Sequence, residues 1–207
     1  MLRKHSILIG IIISLLLLFV ATRYYPGGSQ HDQNSTGFDW KNNYLSNLFS
    51  TKAVNGVDNL SVPWAVGGML FLCISFALFF IEFSKKIPPG SAAKVIKYAG
   101  ACAMAFGSLA VTPYHDLAIM IGGTLFLLSM FYVTVFVFKS KLLLFKILCI
   151  ICLLVFYCCN YIYYTRNYLE ILPVMQKIGI FIAIVWILSL QYFTTKMDFY
   201  REKKSPD

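Results

Sequence analysis

Two titratable residues that are adjacent in the sequence, His115 and Asp116, are the part of this chain best suited to acid–base chemistry. A hydrogen-bonded histidine close to a carboxylate can act as a general base and activate a serine hydroxyl as a nucleophile. Ser46 is the candidate nucleophile. Asp39 is the better candidate to orient the imidazole, because neighbouring residues on a turn do not normally orient each other. No G-x-S-x-G sequence surrounds Ser46, so catalysis by His115, Ser46 and Asp39 is only one interpretation.

The same pair also has a structural interpretation. Asp116 is a suitable N-cap for an apolar helix that begins at about residue 117. His115 would then form a hydrogen bond to a neighbouring polar loop rather than act on a substrate. The sequence leaves both interpretations open.

Further polar residues occur in three separate connections between apolar segments, where they could form one ligand site. Polar groups near a bilayer usually face a bundle interior or a water-filled cavity, because exposing an ionised group to lipid costs free energy. Arg166 could bind a lipid phosphate, and Lys177 could pair with Glu170. Alternatively, these side chains are loop groups in water at the membrane surface. The predicted ligand-binding residues are Asp39, Asn43, Ser46, Asn47, Tyr114, His115, Asp116, Arg166 and Lys177.

Neither the histidines nor the cysteines predict a metal site. Of the three histidines, His5 is predicted at the opposite membrane face from His115, and no carboxylate has the spacing of a metal ligand set. The six cysteines all fall inside apolar segments, where cysteine commonly packs as a small hydrophobic residue. We therefore predict no metal, no cofactor and no disulfide framework.

The composition indicates the class of protein that positions these residues. Hydrophobic residues make up 58% of the 207 residues and charged residues 13%, whereas a soluble domain has about 25% charged residues. The net charge of +9 does not indicate nucleic-acid binding, because Lys and Arg cluster in short loops between apolar segments. We predict an all-α polytopic membrane protein with a single domain over residues 1–207.

Six apolar segments approach or reach the roughly 18–20 residues that cross a bilayer as a helix. Thirteen of the 18 Lys and Arg residues lie at the N-terminus, in the second and fourth loops and in the C-terminal tail. The positive-inside rule therefore predicts a six-transmembrane-helix bundle with both termini in the cytoplasm, and the first span is expected to be retained rather than cleaved. The predicted spans are residues 7–22, 64–83, 95–111, 117–138, 147–163 and 174–192.

The first outer loop, residues 23–62, contains an amphipathic pattern over residues 37–49. Written as a helix, this stretch places its large apolar residues on one side and its polar residues on another. We predict a short amphipathic helix that rests its aromatic side on lipid or on other helices and covers an outward pocket. Its polar side is expected to be free to face a ligand.

The third span carries Ala99, Ala103 and Gly107 at four-residue intervals, a pattern that allows a neighbouring helix to approach closely. We predict that this span is central and forms a tight hairpin with the fourth span. Gly122 and Gly123 are expected at the crossing of the two.

The chain resembles an uncharacterised family of small bacterial membrane proteins catalogued as domain of unknown function 998. The shared features are Tyr25-Pro26-Gly27-Gly28, Asn43-Tyr44-Leu45-Ser46-Asn47-Leu48, Asn55-Gly56 with Asn59, and the turn from Thr112-Pro113 to Asp116. Tyr44-Leu45-Ser46-Asn47 also resembles the Y-I-S-D motif of DRAM/Frag/Sfk-type six-span proteins, with Asn47 in place of the aspartate. The resemblance implies six helices, an ordered first outer loop, a bacterial inner-membrane location and a connection to membrane lipids.

Two functional hypotheses follow. The first is a protein that binds a membrane lipid, or a lipid-like small molecule, in an outward-facing polar pocket. The second is a lipid-modifying hydrolase or transferase that uses Ser46 and His115. A transporter is disfavoured, because no span is broken by Pro or Gly at mid-membrane beside a buried charge.

Overall fold

Six long helices make up most of the structure. The computed structural model describes residues 2–200, with side chains from residue 5 onward, so residue 1 and residues 201–207 of the predicted basic tail lie outside the described residues. The helices are α1 (Leu2–Tyr24), α2 (Val62–Phe83), α3 (Ser91–Leu109), α4 (His115–Lys139), α5 (Leu143–Thr165) and α6 (Leu172–Phe193). Single turns of 3-10 helix occupy Leu45–Phe49, Leu169–Ile171 and Lys196–Asp198. All six predicted apolar segments are helical.

Five of these helices, α1, α2, α4, α5 and α6, are long and apolar enough to cross a membrane. The exception is α3, whose first two turns carry Lys94 and Lys97. The chain is therefore a helical membrane protein with several spans.

Each helix packs against the next one in the sequence, and α2 also contacts α6. Helices α2 to α6 therefore form a closed ring, and α1 packs outside the ring against α2. At the α2–α6 contact the ring centroids of Phe79 and Trp186 are 5.4 Å apart, and both side chains are fully buried. The prediction that the third span is central is wrong, because α3 packs mainly against α2 and α4 and leaves Lys94 and Tyr98 exposed, whereas α2 packs against α1, α3 and α6.

Glycines allow α3 to approach both of its neighbours. A Cβ on Gly100 would overlap the side chain of Phe80 on α2. A Cβ on Gly122 of α4 would lie 3.2 Å from the carbonyl oxygen of Ala103. The predicted close crossing of the third and fourth spans is confirmed at Gly122, whereas Gly123, expected at the same crossing, faces Asn160 of α5 instead. The close approach at Gly100 is an additional finding.

The connection between α1 and α2, residues 25–61, is an ordered segment that we call the cover. Two isolated β-bridges form within the cover, one between Gly27 and Thr36 and one between Lys52 and Asp58. The predicted amphipathic helix over residues 37–49 is wrong for most of its length, because only Leu45–Phe49 are helical and these form a 3-10 turn.

Three polar side chains explain why this stretch does not form a longer helix. The side-chain oxygens of Asp39, Asn43 and Asn47 accept hydrogen bonds from nearby backbone N–H groups at 2.7–3.1 Å. Such local side-chain bonds offer the backbone an alternative to helical hydrogen bonds. The residues predicted to form the free polar side of a helix therefore fold the segment into turns.

Candidate functional site

The cover is built around a buried asparagine. Asn43 is fully buried; its Nδ2 donates to the carbonyl oxygen of Gly28 at 2.8 Å, and its Oδ1 accepts from the backbone N–H of Asp39 at 2.8 Å. Asn43 also contacts Asn47, whose Oδ1 lies 3.4 Å from the same amide nitrogen. Both asparagines, predicted as ligand-binding residues, are thus used to fold the cover.

Asp39 also has a local role. Its carboxylate accepts hydrogen bonds from the backbone N–H groups of Lys41 and Asn42 and from Asn42 Nδ2, at 2.7–3.1 Å. Burial acts to raise the pKa of Asp39, but these hydrogen bonds and the positive charge of Lys177 outweigh it, so that the pKa lies below its ordinary value. The proposed role of Asp39 in orienting His115 is wrong, because its carboxylate is already engaged within the cover.

Asn59 and Ser61, which are not among the predicted site residues, connect the 3-10 turn of the cover to α2. Asn59 Nδ2 donates to the carbonyl oxygens of Asn47, Leu48 and Ser50 at 2.8–3.4 Å. The hydroxyl of Ser61 donates to Leu48 at 3.0 Å. The signal for this contact is the Asn59-Leu60-Ser61 sequence before α2, because Asn and Ser side chains readily bond to nearby backbone groups.

Polar contacts made by three side chains attach the cover to α6 and to the 3-10 turn that precedes it. Gln176 Oε1 accepts from the backbone N–H of Leu45 at 2.9 Å. Lys177 Nζ donates to the carbonyl oxygens of Asn43 and Pro173 at 2.6 and 2.8 Å. The hydroxyl of Tyr44 donates to the carbonyl oxygen of Leu169 at 3.3 Å. Lys177, predicted to bind a ligand or pair with Glu170, therefore anchors the cover to the bundle.

Apolar contacts hold the other side of the cover. Leu45, Leu48 and Phe49 are buried against Ala21 of α1 and Ala65 of α2. Trp40, which the helical pattern placed with these residues, is more than half exposed and packs edge-on against Phe38 instead. The cover is thus seated on α1, α2 and α6 by an apolar patch and by hydrogen bonds.

A cavity of about 560 Å³ lies inside the ring of α2 to α6, beneath the cover. Its walls below the cover are mainly apolar, and small residues make room for it: Ala103, Gly107, Gly122, Gly123, Gly179 and Ala183. Phe126 and Phe156 line its deeper part. Ligand sites are commonly mostly apolar cavities of about 300–1,000 Å³ with a few polar groups.

The end of the cavity at the cover, which we call the mouth, has a polar lining. Tyr44 and Ser46 come from the cover, His115 from the start of α4, Arg166 from the α5–α6 connection and Gln176 from α6. Of the predicted ligand-binding residues, the lining contains Ser46, His115 and Arg166. Asp39, Asn43, Asn47, Tyr114, Asp116 and Lys177 lie outside it. Burial raises the pKa of the Tyr44 phenol, which favours its neutral, hydrogen-donating form.

His115 has a carboxylate partner at the mouth. Its Nδ1 lies 3.1 Å from Asp116 Oδ1, and the same oxygen accepts a 2.5 Å hydrogen bond from the hydroxyl of Tyr163 on α5. We expected neighbouring residues not to orient each other, but in the first turn of α4 the Asp116 carboxylate lies within hydrogen-bond distance of the His115 imidazole. The N-cap of α4 is Tyr114 rather than Asp116. Among the described side chains, Ser46 forms no hydrogen bond with His115.

Arg166 is held in an uncommon backbone conformation. It caps the C-terminus of α5 with φ of 60°, in the left-handed region where glycine is usual. Tyr168 has the same φ. The guanidinium of Arg166 lies 5.0 Å from the ring centroid of Tyr163. Residues held in such conformations cluster at ligand sites, where surrounding structure offsets the strain.

A search of the described residues for groups of three or more His, Cys, Asp or Glu side chains that could hold a metal ion found none. Comparison of the chain with protein-family models, with curated proteins and with solved structures found no match. The resemblance to a known family therefore stays a prediction.

Proposed function

We propose that this protein is a six-span protein of the cell membrane that binds a membrane lipid or a lipid-like amphiphile in the cavity beneath the cover. Both termini lie in the cytoplasm in this proposal, and the cover and the mouth lie at the outer face. The asymmetry of Lys and Arg between the loops supports this orientation. The bacterial inner membrane is the location that the family resemblance favours.

The assignment of α3 as a sixth span follows from its neighbours. With 19 residues, α3 is about 28 Å long, close to the roughly 30 Å hydrocarbon core of a bilayer. It packs between α2 and α4, both of which are apolar enough to cross. The lysines in its first turns lie at the end where, in this orientation, the cytoplasm begins.

The observation that carries the proposal is the division of one cavity into a polar mouth and an apolar interior. An amphiphile meets both parts at once, because its head can bind to Arg166, His115 and Gln176 while its chain fills the space beside Phe126 and Phe156. A purely polar ligand would leave the apolar walls without contacts. A purely apolar ligand would gain no hydrogen bond from the polar groups at the mouth.

The test is to measure lipid retained by the purified full-length protein using native mass spectrometry. Gly179→Leu is designed to fill the cavity, since a Cβ at Gly179 would meet its nearest neighbours at 3.7–3.9 Å and is sterically tolerated. We expect this variant to lose most of the retained lipid. Gly67→Leu is the control, because Gly67 packs near Leu17 of α1 and lies outside the cavity lining. Absence of lipid from the wild type after mild extraction, or equal retention by both variants, would contradict the proposal.

The second candidate function is a lipid-modifying hydrolase or transferase that acts in the same cavity. The 3.1 Å approach of His115 to Asp116 favours it, since a carboxylate can orient a histidine that acts as a general base. Ser46, at the mouth, would be the nucleophile. Turnover of a diacyl phospholipid by the wild type that is lost in His115→Ala, with lipid retention unchanged, would support this function. Retention without turnover in the wild type would favour binding alone.

A further inference from the structure

A second groove, of about 320 Å³, lies on the outside of the bundle where α4 meets α5. It is lined by Thr124 and Leu127 of α4 and by residues of α5 between Tyr157 and Thr165. Asn160 belongs to the lining of this groove and also to that of the central cavity. Asn160 therefore forms part of the partition between the two spaces.

The partition between the two spaces is thin because a glycine faces Asn160. A Cβ on Gly123 would lie 3.2 Å from Asn160 Oδ1, so that no side chain of α4 reinforces the partition there. Asn160 Nδ2 donates to the carbonyl oxygen of Phe156, one turn earlier on its own helix, at 2.8 Å. Within the described side chains, Asn160 makes no hydrogen bond to α4.

Two side-chain contacts between α4 and α5 lie on either side of Asn160 and Gly123. On the side of the mouth, Tyr163 donates its 2.5 Å hydrogen bond to Asp116. On the deeper side, the rings of Phe126 and Phe156 lie 4.8 Å apart. We call the part of the α4–α5 contact between these two pairs, with Gly123 and Asn160 at its centre, the window. It begins within about two turns of the end of α5 and so lies in the half of the bundle nearer to the cover.

We propose that the window is a lateral passage by which an acyl chain of a bilayer lipid moves between the membrane and the central cavity. This inference rests on the proposed function and specifies its ligand as a lipid taken from the bilayer. The groove faces outward, with Tyr157 and Tyr161 at least half exposed, and tyrosines of this kind are enriched at membrane interfaces. Passage through water would expose every methylene of the chain, which the hydrophobic effect opposes. A path within the membrane avoids that cost.

The experiment uses the full chain in lipid nanodiscs that contain a phospholipid with a diazirine at the middle of one acyl chain. After irradiation, mass spectrometry locates the labelled residues. In the wild type we expect labels on Tyr157 in the groove and on Leu72 and Ala103, which line the cavity from α2 and α3 and are almost fully buried. Gly123→Leu fills the window, and because Gly123 also lines the cavity, the rate of cavity labelling is measured separately from its final level. The rate should fall at least tenfold while the final level and the labelling of the groove match the wild type, and a fall in the final level at an unchanged rate would overturn the passage. Gly67→Leu, in the α1–α2 contact, should retain the wild-type pattern.

Each outcome discriminates between the passage and the binding site. Equal rates of cavity labelling in the wild type and Gly123→Leu would overturn the passage while leaving the proposed function intact, since lipid would then enter through the mouth. Absence of cavity labelling in the wild type would overturn both. Asn160→Ala removes part of the partition rather than filling the window and should accelerate cavity labelling several-fold. If Gly123→Leu does not fold, an unchanged rate in Asn160→Ala overturns the passage.

Discussion

The hydroxyl of Tyr163 donates a 2.5 Å hydrogen bond to the same carboxylate oxygen of Asp116 that lies 3.1 Å from the imidazole of His115. This shared oxygen joins the end of α5 to the first turn of α4. Hydrogen bonds between helices of membrane proteins contribute about 0.6 kcal/mol on average, and bonds to charged groups can contribute more. We expect Tyr163→Phe to reduce the free energy of unfolding by about 0.5–1.5 kcal/mol, measured as a lower melting temperature in detergent.

Tyr164→Phe is the matched control for this bond. Tyr164 is the next residue on α5 and is half exposed, and its hydroxyl forms no hydrogen bond among the described side chains. Its removal should leave the melting temperature unchanged. If both variants lower the melting temperature equally, the bond to Asp116 does not stabilise the bundle.

Asn43→Ala should loosen the internal fold of the cover, because the side-chain partners of Asn43 lie within the cover itself. The substitution leaves the carbonyl of Gly28 and the N–H of Asp39 without their buried partner. Each unsatisfied buried group costs about 1–3 kcal/mol. We expect trypsin to cleave the cover after Lys41 and Lys52 at least ten times faster than in the wild type. These two lysines are exposed in the folded protein, so the rate reports the opening of the backbone around them.

Asn34→Ala is the control, because it replaces an asparagine of the cover whose side chain forms no hydrogen bond among the described residues. Asn34 is exposed, and only its backbone N–H forms a hydrogen bond. The cleavage rate should match that of the wild type. An Asn43→Ala protein as resistant as Asn34→Ala would show that the buried amide does not hold the cover.

Gly100→Ala tests the closest approach of α2 and α3. The added methyl group would overlap the ring of Phe80, which is fully buried and cannot turn away into solvent. Overpacking of this kind costs about 1–3 kcal/mol, which should appear as a lower melting temperature. Gly107→Ala, on the same helix, would meet Cys73 Sγ at 3.4 Å and should leave stability unchanged or slightly higher. Similar losses in both variants would argue against a specific contact at Gly100.

The helices of this protein could be predicted from its sequence because an apolar segment of membrane length has few alternatives to a helix. All six segments are helical in the structure. The packing of α3 could not be predicted in the same way. Ala99, Ala103 and Gly107 fit a helix-crossing pattern, yet the tightest contact forms at Gly100, because the position of the ring of Phe80 depends on tertiary packing.

The polar residues of the cover and the mouth could be predicted less well than the helices. Asp39, Asn43 and Asn47 have residue types that bind ligands and equally well bind nearby backbone groups, and periodicity alone does not distinguish these uses. In the cover they bind backbone. Ser46, His115 and Arg166 reach the cavity because the cover, α4 and the α5–α6 connection meet at the mouth. That meeting depends on contacts made by Gln176 and Lys177, which lie far from the cover in sequence.

Lys86, in the connection between α2 and α3, makes stability depend on pH. Its Nζ donates to the carbonyl oxygens of Leu190 and Gln191 at the end of α6. Burial lowers the pKa of Lys86 to about 8, although the negative charges of Asp198 and Glu82 act to raise it. Between pH 8 and its ordinary pKa, the unfolded chain binds more protons than the folded one, so stability should rise with pH across this interval. Below pH 8 the amine is protonated in both states and contributes no slope.

The measurement for Lys86 is the melting temperature between pH 7 and pH 10. Lys86→Met should lose part of the rise seen in the wild type. Lys85→Met is the control, because Lys85 forms only an exposed ion pair with Glu82, and it should keep the wild-type dependence. An identical pH dependence in wild type and Lys86→Met would refute the assignment.

We expect Arg166 to lower the stability of the protein through its backbone conformation and to strengthen ligand binding through its guanidinium. A left-handed backbone conformation costs an L-residue about 1–2 kcal/mol, and glycine avoids this cost. Arg166→Gly and Arg166→Ala both remove the guanidinium at the mouth, so both should weaken retention of an anionic phospholipid by a similar factor, about tenfold for one lost charged contact. The two variants should differ in stability, with Arg166→Gly more stable than Arg166→Ala by about 1 kcal/mol. Melting temperatures measure the effect of each variant on stability, and native mass spectra measure its effect on lipid retention. Arg166→Lys is the variant that keeps the charge. If Arg166→Ala retains the anionic lipid as well as the wild type does, Arg166 is a strained helix cap without a role at the mouth.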